Sequence, residues 1–383
     1  MTAPDLKPVE LITTSAELPA LASRLGASPR LAVDTDSNSL FAYREQVCLI
    51  QFSSKDADFL VDPLAVQNLS SLKPVFERAD IEKVFHAAEY DLICLRRDFG
   101  FGVNNLFDTM IAARILGRQA VGLSSLLEEE FGVCLDKKFQ RANWGERPLS
   151  AQLLDYARLD THYLIALRER LGAALEAKEL TALAFEDFKR MAAFNSVDGT
   201  LVQVNHHPAD PWRISGAYDL SPQQASVLQK LCEYRDETAR QLDRPLFKVM
   251  SDQTLLAISQ ACPENLQDLG RLPGMSPGQI RRHGNELLRA VRGGIEAGSI
   301  YPPRNRRPDP AYSDRLETLR TWRKQTADKM SVQSDVVLPR DLMQSLASVN
   351  PRSQAELESA LREVPWRLSH FGDEILQALN GKK

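Results

Sequence analysis

The chain is poor in cysteine. Its 383 residues include five, Cys48, Cys94, Cys134, Cys232 and Cys262, and no two form a C-x-x-C pair. An odd number without ligand spacing argues against a zinc site or a disulfide framework and predicts buried thiols in a reducing cytosol. No apolar run approaches the roughly eighteen residues of a membrane span. The start, MTAPDLKPVE, lacks the basic segment and apolar core of a secretory signal. The expectation is a cytoplasmic protein with no membrane partner. A positive excess is also missing: 47 Lys and Arg stand against 51 Asp and Glu, a net charge of −4. Net charge therefore does not advertise a nucleic-acid partner, although carboxylates gathered at a metal site could mask a basic surface elsewhere. No Ser or Cys stands in a recognisable nucleophile setting, which disfavours a covalent mechanism.

What is present is an ordinary globular composition, 43% hydrophobic and 26% charged, in a chain long enough for about two or three domains. The first half alternates strand-like and helix-like segments. RLAVDTDS, from Arg30 to Ser37, reads as a buried strand; QVCLIQFSS, from Gln46 to Ser54, and DFLVDPL, from Asp58 to Leu64, follow at hairpin spacing. A helix is predicted from Val66 to Arg78 and a strand from Lys83 to Ala88. Further helices are predicted from Tyr90 to Asp98, Thr109 to Leu116, Leu123 to Glu130, and Ser150 to about Leu180. Hairpin strands followed by helical crossovers predict a mixed α/β sheet flanked by helices.

After about Phe194 the strand signal fades. VNHHPADPWRISG, from Val204 to Gly216, and YPPRNRRPDPAY, from Tyr301 to Tyr312, read as linkers. The segments beyond them are related by an ungapped shift of 88 residues. Leu228 falls on Leu316, Leu231 on Leu319, Arg235 on Arg323, Pro263 on Pro351, Gly284 on Gly372 and Glu286 on Glu374. This predicts a duplicated all-helical domain of roughly 75 residues, enough for a small core. The expected boundaries are 1–203 for the α/β domain, 217–300 for the first helical copy, 301–312 for a linker and 313–383 for the second copy.

Three carboxylate patterns carry chemistry. Asp34 and Asp36 are two apart on an apolar strand and so share a face, about 6–7 Å apart along the backbone. They repel unless a cation lies between them; the competing reading is a solvated strand edge. Asp91 falls in the first turn of a helix, where a carboxylate also suits the dipole, and Glu89 would serve that second purpose equally well. Tyr156 and Asp160 are four apart and share a helix face, which also fits a packed Tyr beside a solvated Asp.

As an ordered set these parts resemble the DEDDy 3′–5′ exonucleases, and within them the ribonuclease D family. The resemblance lies in AVDTDSNSLFAYREQVCLIQFSS, KVFHAAEYDLICLRRDFGF, LFDTMIAARILG, LDKKFQRANWGERPLS and LLDYARLDTHYLIALRERL, and covers about Leu31 to Leu171. It implies a ribonuclease-H-like fold and hydrolysis of RNA from the 3′ end with release of nucleoside 5′-monophosphates. It also implies two divalent ions, Mg2+ or Mn2+, held by Asp34, Asp91, Asp160 and the residue at position 36, with Tyr156 positioning the attacking water. The implied partner is RNA with a free 3′ end, above all tRNA precursors, and the chain is expected to be a monomer. The family's D-x-E motif stands here as Asp34-Thr35-Asp36. The arm of Asp36 is one methylene shorter, so better function with manganese than with magnesium is expected. The competing functions are a catalytically silent RNA-binding module and a DNA-directed exonuclease.

The repeated segments resemble the HRDC domain, which would then occur twice. Arg281, Arg282, His283, Arg289 and Arg292 fall on one predicted helix of the first copy, after the Gly/Pro-rich run GRLPGMSPGQ. That helix start could offer backbone N–H groups to a phosphate; an ordinary turn beside a solvated basic face is the alternative. The second copy has ALREVPWRLSH at this place, so the first copy is expected to bind RNA and the second to be structural. In the α/β half, Gln140, Arg141, Trp144 and Arg147 are candidates for a single-stranded 3′ end, with Arg for phosphate and Trp for a base. A surface loop with a packed Trp is the competing reading. His86 is a candidate for the edge of the site, and Asp108 is read as structural.

Overall fold

The computed structural model describes residues 9–194, 209–303 and 309–381. They form two compact units, one containing 9–36, 47–194 and 309–381, the other 37–46 and 209–303. The first unit holds a six-stranded sheet: β1 (Val9–Ile12), β2 (Arg30–Ser37), β3 (Val47–Ser53), β4 (Asp58–Val61), β5 (Glu82–Phe85) and β6 (Leu106–Asp108), in the order β1-β4-β3-β2-β5-β6. β1 runs parallel to β4, and β2, β5 and β6 run parallel to one another, while β3 is antiparallel to β4. The sheet is therefore mixed, as expected.

Helices α1 (Leu18–Gly26), α2 (Lys73–Glu77), α3 (Glu89–Phe99), α4 (Thr109–Ile115), α5 (Leu123–Phe131), α6 (Ala151–His162), α7 (Leu164–Ala177) and α8 (Thr181–Phe194) accompany it. The two-residue period of β2 divides the core. Leu31 and Val33 pack with Leu21, Leu25, Phe52 and Phe76, whereas Ala32 packs with Phe107, Ile115, Leu167 and Phe188. Asp34 and Asp36 continue the face of Ala32 beyond the end of that second cluster.

Two helix predictions change. Helix α2 begins at Lys73, not Val66, after a 3-10 turn at Ser70–Leu72. The Asp62 carboxylate accepts from the backbone N–H groups of Leu64 and Ala65, which turns the chain. Pro74 lies in the first turn of α2, where its missing N–H costs nothing. The long helix predicted from Ser150 is two, broken at Tyr163 between α6 and α7. In the α/β half, strands β1 and β6 and helices α1 and α8 stand outside the elements that the sequence predicts.

The two helical copies superpose in sequence register. Helices α9 (Pro222–Gln241), α10 (Leu246–Val249), α11 (Asp252–Ala261), α12 (Leu266–Leu269) and α13 (Pro277–Glu296) form the first. Helices α14 (Pro310–Met330), α15 (Ser334–Val337), α16 (Arg340–Val349), α17 (Gln354–Ala360) and α18 (Pro365–Asn380) form the second. Each helix of the second copy starts 88 residues after its counterpart, from Pro222 and Pro310 to Pro277 and Pro365. The shift extends to single bonds: Arg235 donates to the carbonyl of Met250, and Arg323 donates to that of Leu338. Cys262 and Asn350 end α11 and α16 in the same left-handed conformation. Part of the first predicted linker is not a linker, since Pro211 and Ile214 are buried in the first copy; 204–208 lie outside the described residues. Helix α14 begins inside the second predicted linker, capped by Asp309, and 304–308 are likewise outside.

The second copy is fastened to the α/β fold by buried charge. Arg367 on α18 is fully buried and donates to Glu186 (3.1 Å) and Asp187 (2.9 Å) of α8 and to the carbonyls of Val336 and Val337. The backbone N–H of Trp366 also donates to Glu186, and Arg114 of α4 pairs with Asp335. The first copy has Gln279 where the second has Arg367. Replacing Arg367 by Ala leaves two carboxylates facing a buried void. The expected outcome is a loss of about 3–5 kcal/mol of stability, measured by chemical denaturation of the whole chain.

Candidate active site

Strand β2 and helix α6 bring three carboxylates together. One oxygen each from Asp34, Asp36 and Asp160 lies within 4.8 Å of the others, and all three side chains are half-buried. Asp91, at the start of α3, is buried beside them. Its Oδ1 accepts from the backbone N–H of Thr35 (3.0 Å) and from the Thr35 hydroxyl (2.5 Å). Thr35 points to the opposite face of β2 from its two acidic neighbours, so one strand serves all three acids. The Asp36 Oδ2 accepts from Nε2 of Gln51 on β3 (2.5 Å).

Burial, then mutual repulsion, raises these carboxyls. Asp34 lies well above the ordinary range because of burial and the charges of Asp91, Asp160 and Asp36. Asp36 is raised by burial and Asp160 against the lowering effect of Gln51. Burial pushes Asp160 to about 7, with Asp91 adding to it, and carries Asp91 to about 7 despite its bonds to Thr35. Such a cluster is stable in ionised form only with a counter-charge between its members. An all-oxygen, all-anionic donor set suits a hard divalent cation, so the residues fit a metal.

Tyr156 lies one turn before Asp160 on α6 and is buried, with Phe139 (5.6 Å) and Trp144 (6.3 Å) against its ring. Burial, then the charges of Asp160, Asp36 and Asp34, raises its phenol above the ordinary value. Helix α6 is tied to the sheet by a fully buried polar group. His162 Nδ1 meets Asp58 Oδ2 at 2.6 Å, the Ser53 hydroxyl donates to Asp58 Oδ1 (2.7 Å), and Ser53 and Thr161 hydroxyls are 2.8 Å apart. Asp108, also fully buried, caps α4 and accepts from the N–H of Ala88, which sets the entry to α3.

Of the residues expected to touch substrate, two are committed elsewhere. Arg147 uses all five of its N–H donors internally. Nε and Nη2 grip Asp62, Nη2 also reaches the Cys48 carbonyl, and Nη1 reaches the carbonyls of Trp144 and Glu146. It is a brace for the loop, not a free phosphate ligand. Trp144 is only 2% exposed and packs on Tyr156, so its faces are not open to a base. Gln140 and Arg141 are exposed in the 3-10 turn Lys137–Arg141. His86 is half-buried beside Thr109 (2.9 Å). The Thr109 hydroxyl donates to the Phe85 carbonyl, so the His86 Nδ1–H donates to Thr109. Burial lowers His86 to about 4, so the ring is neutral and offers no cationic contact. Local sequence pattern assigns no role to Gln51, Thr35 or the Asp58–His162 pair. A glutamine inside the apolar run VCLIQFS was the available signal, because a buried amide needs a partner.

In the other unit, Arg281, Arg282, Arg289 and Arg292 are exposed on α13, and His283 is buried against the Tyr234 hydroxyl (2.7 Å). Arg289 is paired with Glu286 (2.6 Å). The Ser276 hydroxyl caps α13 by accepting from the Gln279 N–H, and Gly274 precedes it at φ 83°, where a side chain would collide with Thr254. The segment 37–46, which joins β2 to β3, packs in this unit: the Tyr43 hydroxyl meets Asp236 at 2.5 Å, and Lys248 lies 3.8 Å over the Phe41 ring.

A mixed sheet carrying a cluster of aspartates and a tyrosine one turn from one of them defines the class of metal-dependent 3′–5′ exonucleases. A 3′–5′ exonuclease family profile matches residues 9–176, and an HRDC domain profile matches 224–291 and again 313–379. Ribonuclease D of Escherichia coli is 32% identical over 284 residues, covering 74% of each chain. The crystal structure of Escherichia coli RNase D superposes with a TM-score of 0.68 at 27% identity, over 98% of this chain and 99% of that one. Protein RRP6-like 3 of Arabidopsis thaliana is 33% identical over 67% of this chain, which spans about a third of that protein's length (31%). The chain belongs to the ribonuclease D family. No described helix is long and apolar enough to cross a membrane.

The two loop arginines should separate cleanly. Arg147→Ala leaves the buried Asp62 without its cationic partner, with only backbone N–H groups on Oδ1, and is expected to cost about 1–3 kcal/mol. Arg141→Ala, at an exposed position, should stay within about 0.5 kcal/mol of the parent. Urea denaturation of both variants checks this.

Proposed function

We propose that the chain is a 3′–5′ exoribonuclease that hydrolyses RNA one nucleotide at a time and releases nucleoside 5′-monophosphates, using two divalent cations, Mg2+ or Mn2+. The observation that carries this reading is the meeting of Asp34, Asp36 and Asp160 oxygens within 4.8 Å beside buried Asp91. These four aspartates would hold the cations. When bound, divalent cations supply a lowered pKa for water and charge stabilisation at the leaving 3′ oxygen.

The chain's own groups then have defined tasks. The carboxylates neutralise the added charge and fix its position on β2, α3 and α6. The Tyr156 hydroxyl stays protonated, because burial and its acidic neighbours raise its pKa. It therefore orients a water by hydrogen bonding and does not act as the base. Asp36 reaches the same cluster as Asp34 despite its shorter arm, which favours the enzyme over the silent module.

The substrates in this reading are tRNA precursors and other small RNAs with a free 3′ end, processed by a monomer in the cytoplasm. The exonuclease domain is drawn at 1–203, the first HRDC domain at 217–300 and the second at 313–383, with the helical copies reaching back to Pro211 and Pro310. Arg281, Arg282 and Arg289 form the RNA-binding face of the first HRDC domain; Gln140, Arg141 and His86 line the approach to the catalytic carboxylates.

Two measurements test this. A 5′-labelled RNA should shorten stepwise in magnesium or manganese and stay intact in a chelator, with DNA of the same sequence a poorer substrate. Asp160→Asn should lower turnover by at least on the order of a hundredfold, the cost of a misplaced catalytic group. Intact RNA in both metals, with binding retained, supports the silent module instead. For the basic face, replacing Arg281, Arg282 and Arg289 together by Ala should weaken RNA binding. It should also flatten the log–log salt dependence by about 0.7 per lost phosphate contact. The Glu286 partner makes Arg289 the smallest contributor.

A further inference from the structure

We propose that Gln51 is a positioning residue: its amide fixes the direction of the Asp36 carboxylate and so sets how tightly the aspartate cluster holds a divalent cation. The inference rests on the metal-binding reading above. Gln51 stands in β3, a strand whose seven residues are all buried, and is itself 0% exposed. Its Nε2 donates to Asp36 Oδ2 at 2.5 Å, and its Oε1 is buried with no hydrogen-bond partner.

Two arguments give that geometry a purpose. The first is direction. Asp36 has two rotatable side-chain bonds, and a hydrogen bond to one carboxylate oxygen holds the second torsion. With one lone pair of Oδ2 engaged by Gln51, the carboxylate plane is fixed, so the short side chain meets a cation in one preferred orientation. The second is cost. A buried amide oxygen without a donor bears the full desolvation of that group, whereas an apolar side chain of equal length would not. Stability alone therefore does not account for an amide here. The same orphan oxygen is an acceptor beside the cluster that a water molecule would satisfy. Groups that hold a ligand from behind in this way typically change metal affinity by about 10- to 100-fold.

The pairing also bears on the shorter Asp36. A glutamate at position 36 would carry its carboxylate about one methylene further and lose the present register with Gln51 Nε2. Asp36 and Gln51 are, in this view, one unit, and a change at either is felt through the other.

The test uses the full chain without RNA and follows Mn2+ binding by electron paramagnetic resonance in four proteins: the parent, Gln51→Met, Asp36→Ala and the double variant. Met keeps the length of Gln51; removing the unsatisfied Oε1 offsets the lost bond to Asp36, so the metal-free melting temperature should hold. Gln51→Leu replaces it should the first variant fail to fold. Gln51→Met is expected to weaken Mn2+ binding about 10- to 100-fold and to lower kcat with little change in KM for RNA. In the Asp36→Ala background the same change should alter Mn2+ affinity less than about twofold, because coupled residues are non-additive. Parent-like affinity in Gln51→Met overturns the proposal, as does an equal loss in both backgrounds. A parent protein that binds no Mn2+ overturns the metal-site reading itself, and this inference with it.

Discussion

Carboxylates at Asp34, Asp36 and Asp160 repel one another, and much of the polar interior of the α/β unit serves to keep them together. Asp91, Asp36 and the helix that carries Asp160 are each held by groups that do no chemistry themselves. Thr35 binds Asp91 through its N–H and hydroxyl, Gln51 binds Asp36, and the Asp58–His162 pair with Ser53 and Thr161 pins the end of α6 that carries Tyr156 and Asp160. Asp108 holds the entry to α3. All of these supports are buried, where hydrogen bonds are short of competition from water and a missing partner is expensive. The cluster is thus preorganised for a cation by the sheet and two helices, not by a loop.

The duplicated helical domain shows how one fold can take two roles. The copies keep the same helix starts and the same Arg235 and Arg323 bonds, so their cores have stayed alike. Their surfaces have not. At the place of Gln279, the second copy has Arg367, which is drawn under α8 by Glu186 and Asp187. At the places of Arg281, Arg282 and Arg289, it has Ser369, His370 and Gln377. The copy without the basic face is the one packed against the sheet domain. The copy that has it shares its unit with the segment that follows Asp36 in the chain.

Much of this was legible from residue order. Period two places Asp34 and Asp36 on one face of β2, period 3.6 places Tyr156 and Asp160 on one face of α6, and the 88-residue shift exposes the duplication. These are properties of a single strand, a single helix or a chain compared with itself, and local backbone geometry is enough to determine them. What the tertiary structure decided is which side chains spend their polarity inside the protein. Arg147 and Trp144 look like RNA contacts in sequence; only the fold shows Asp62 taking the first and Tyr156 covering the second. Gln51 looks like an interruption in an apolar strand until Asp36 is seen beside it on the neighbouring strand. Such roles depend on partners 12 to 85 residues away, and no local periodicity records which distant group a buried side chain will meet.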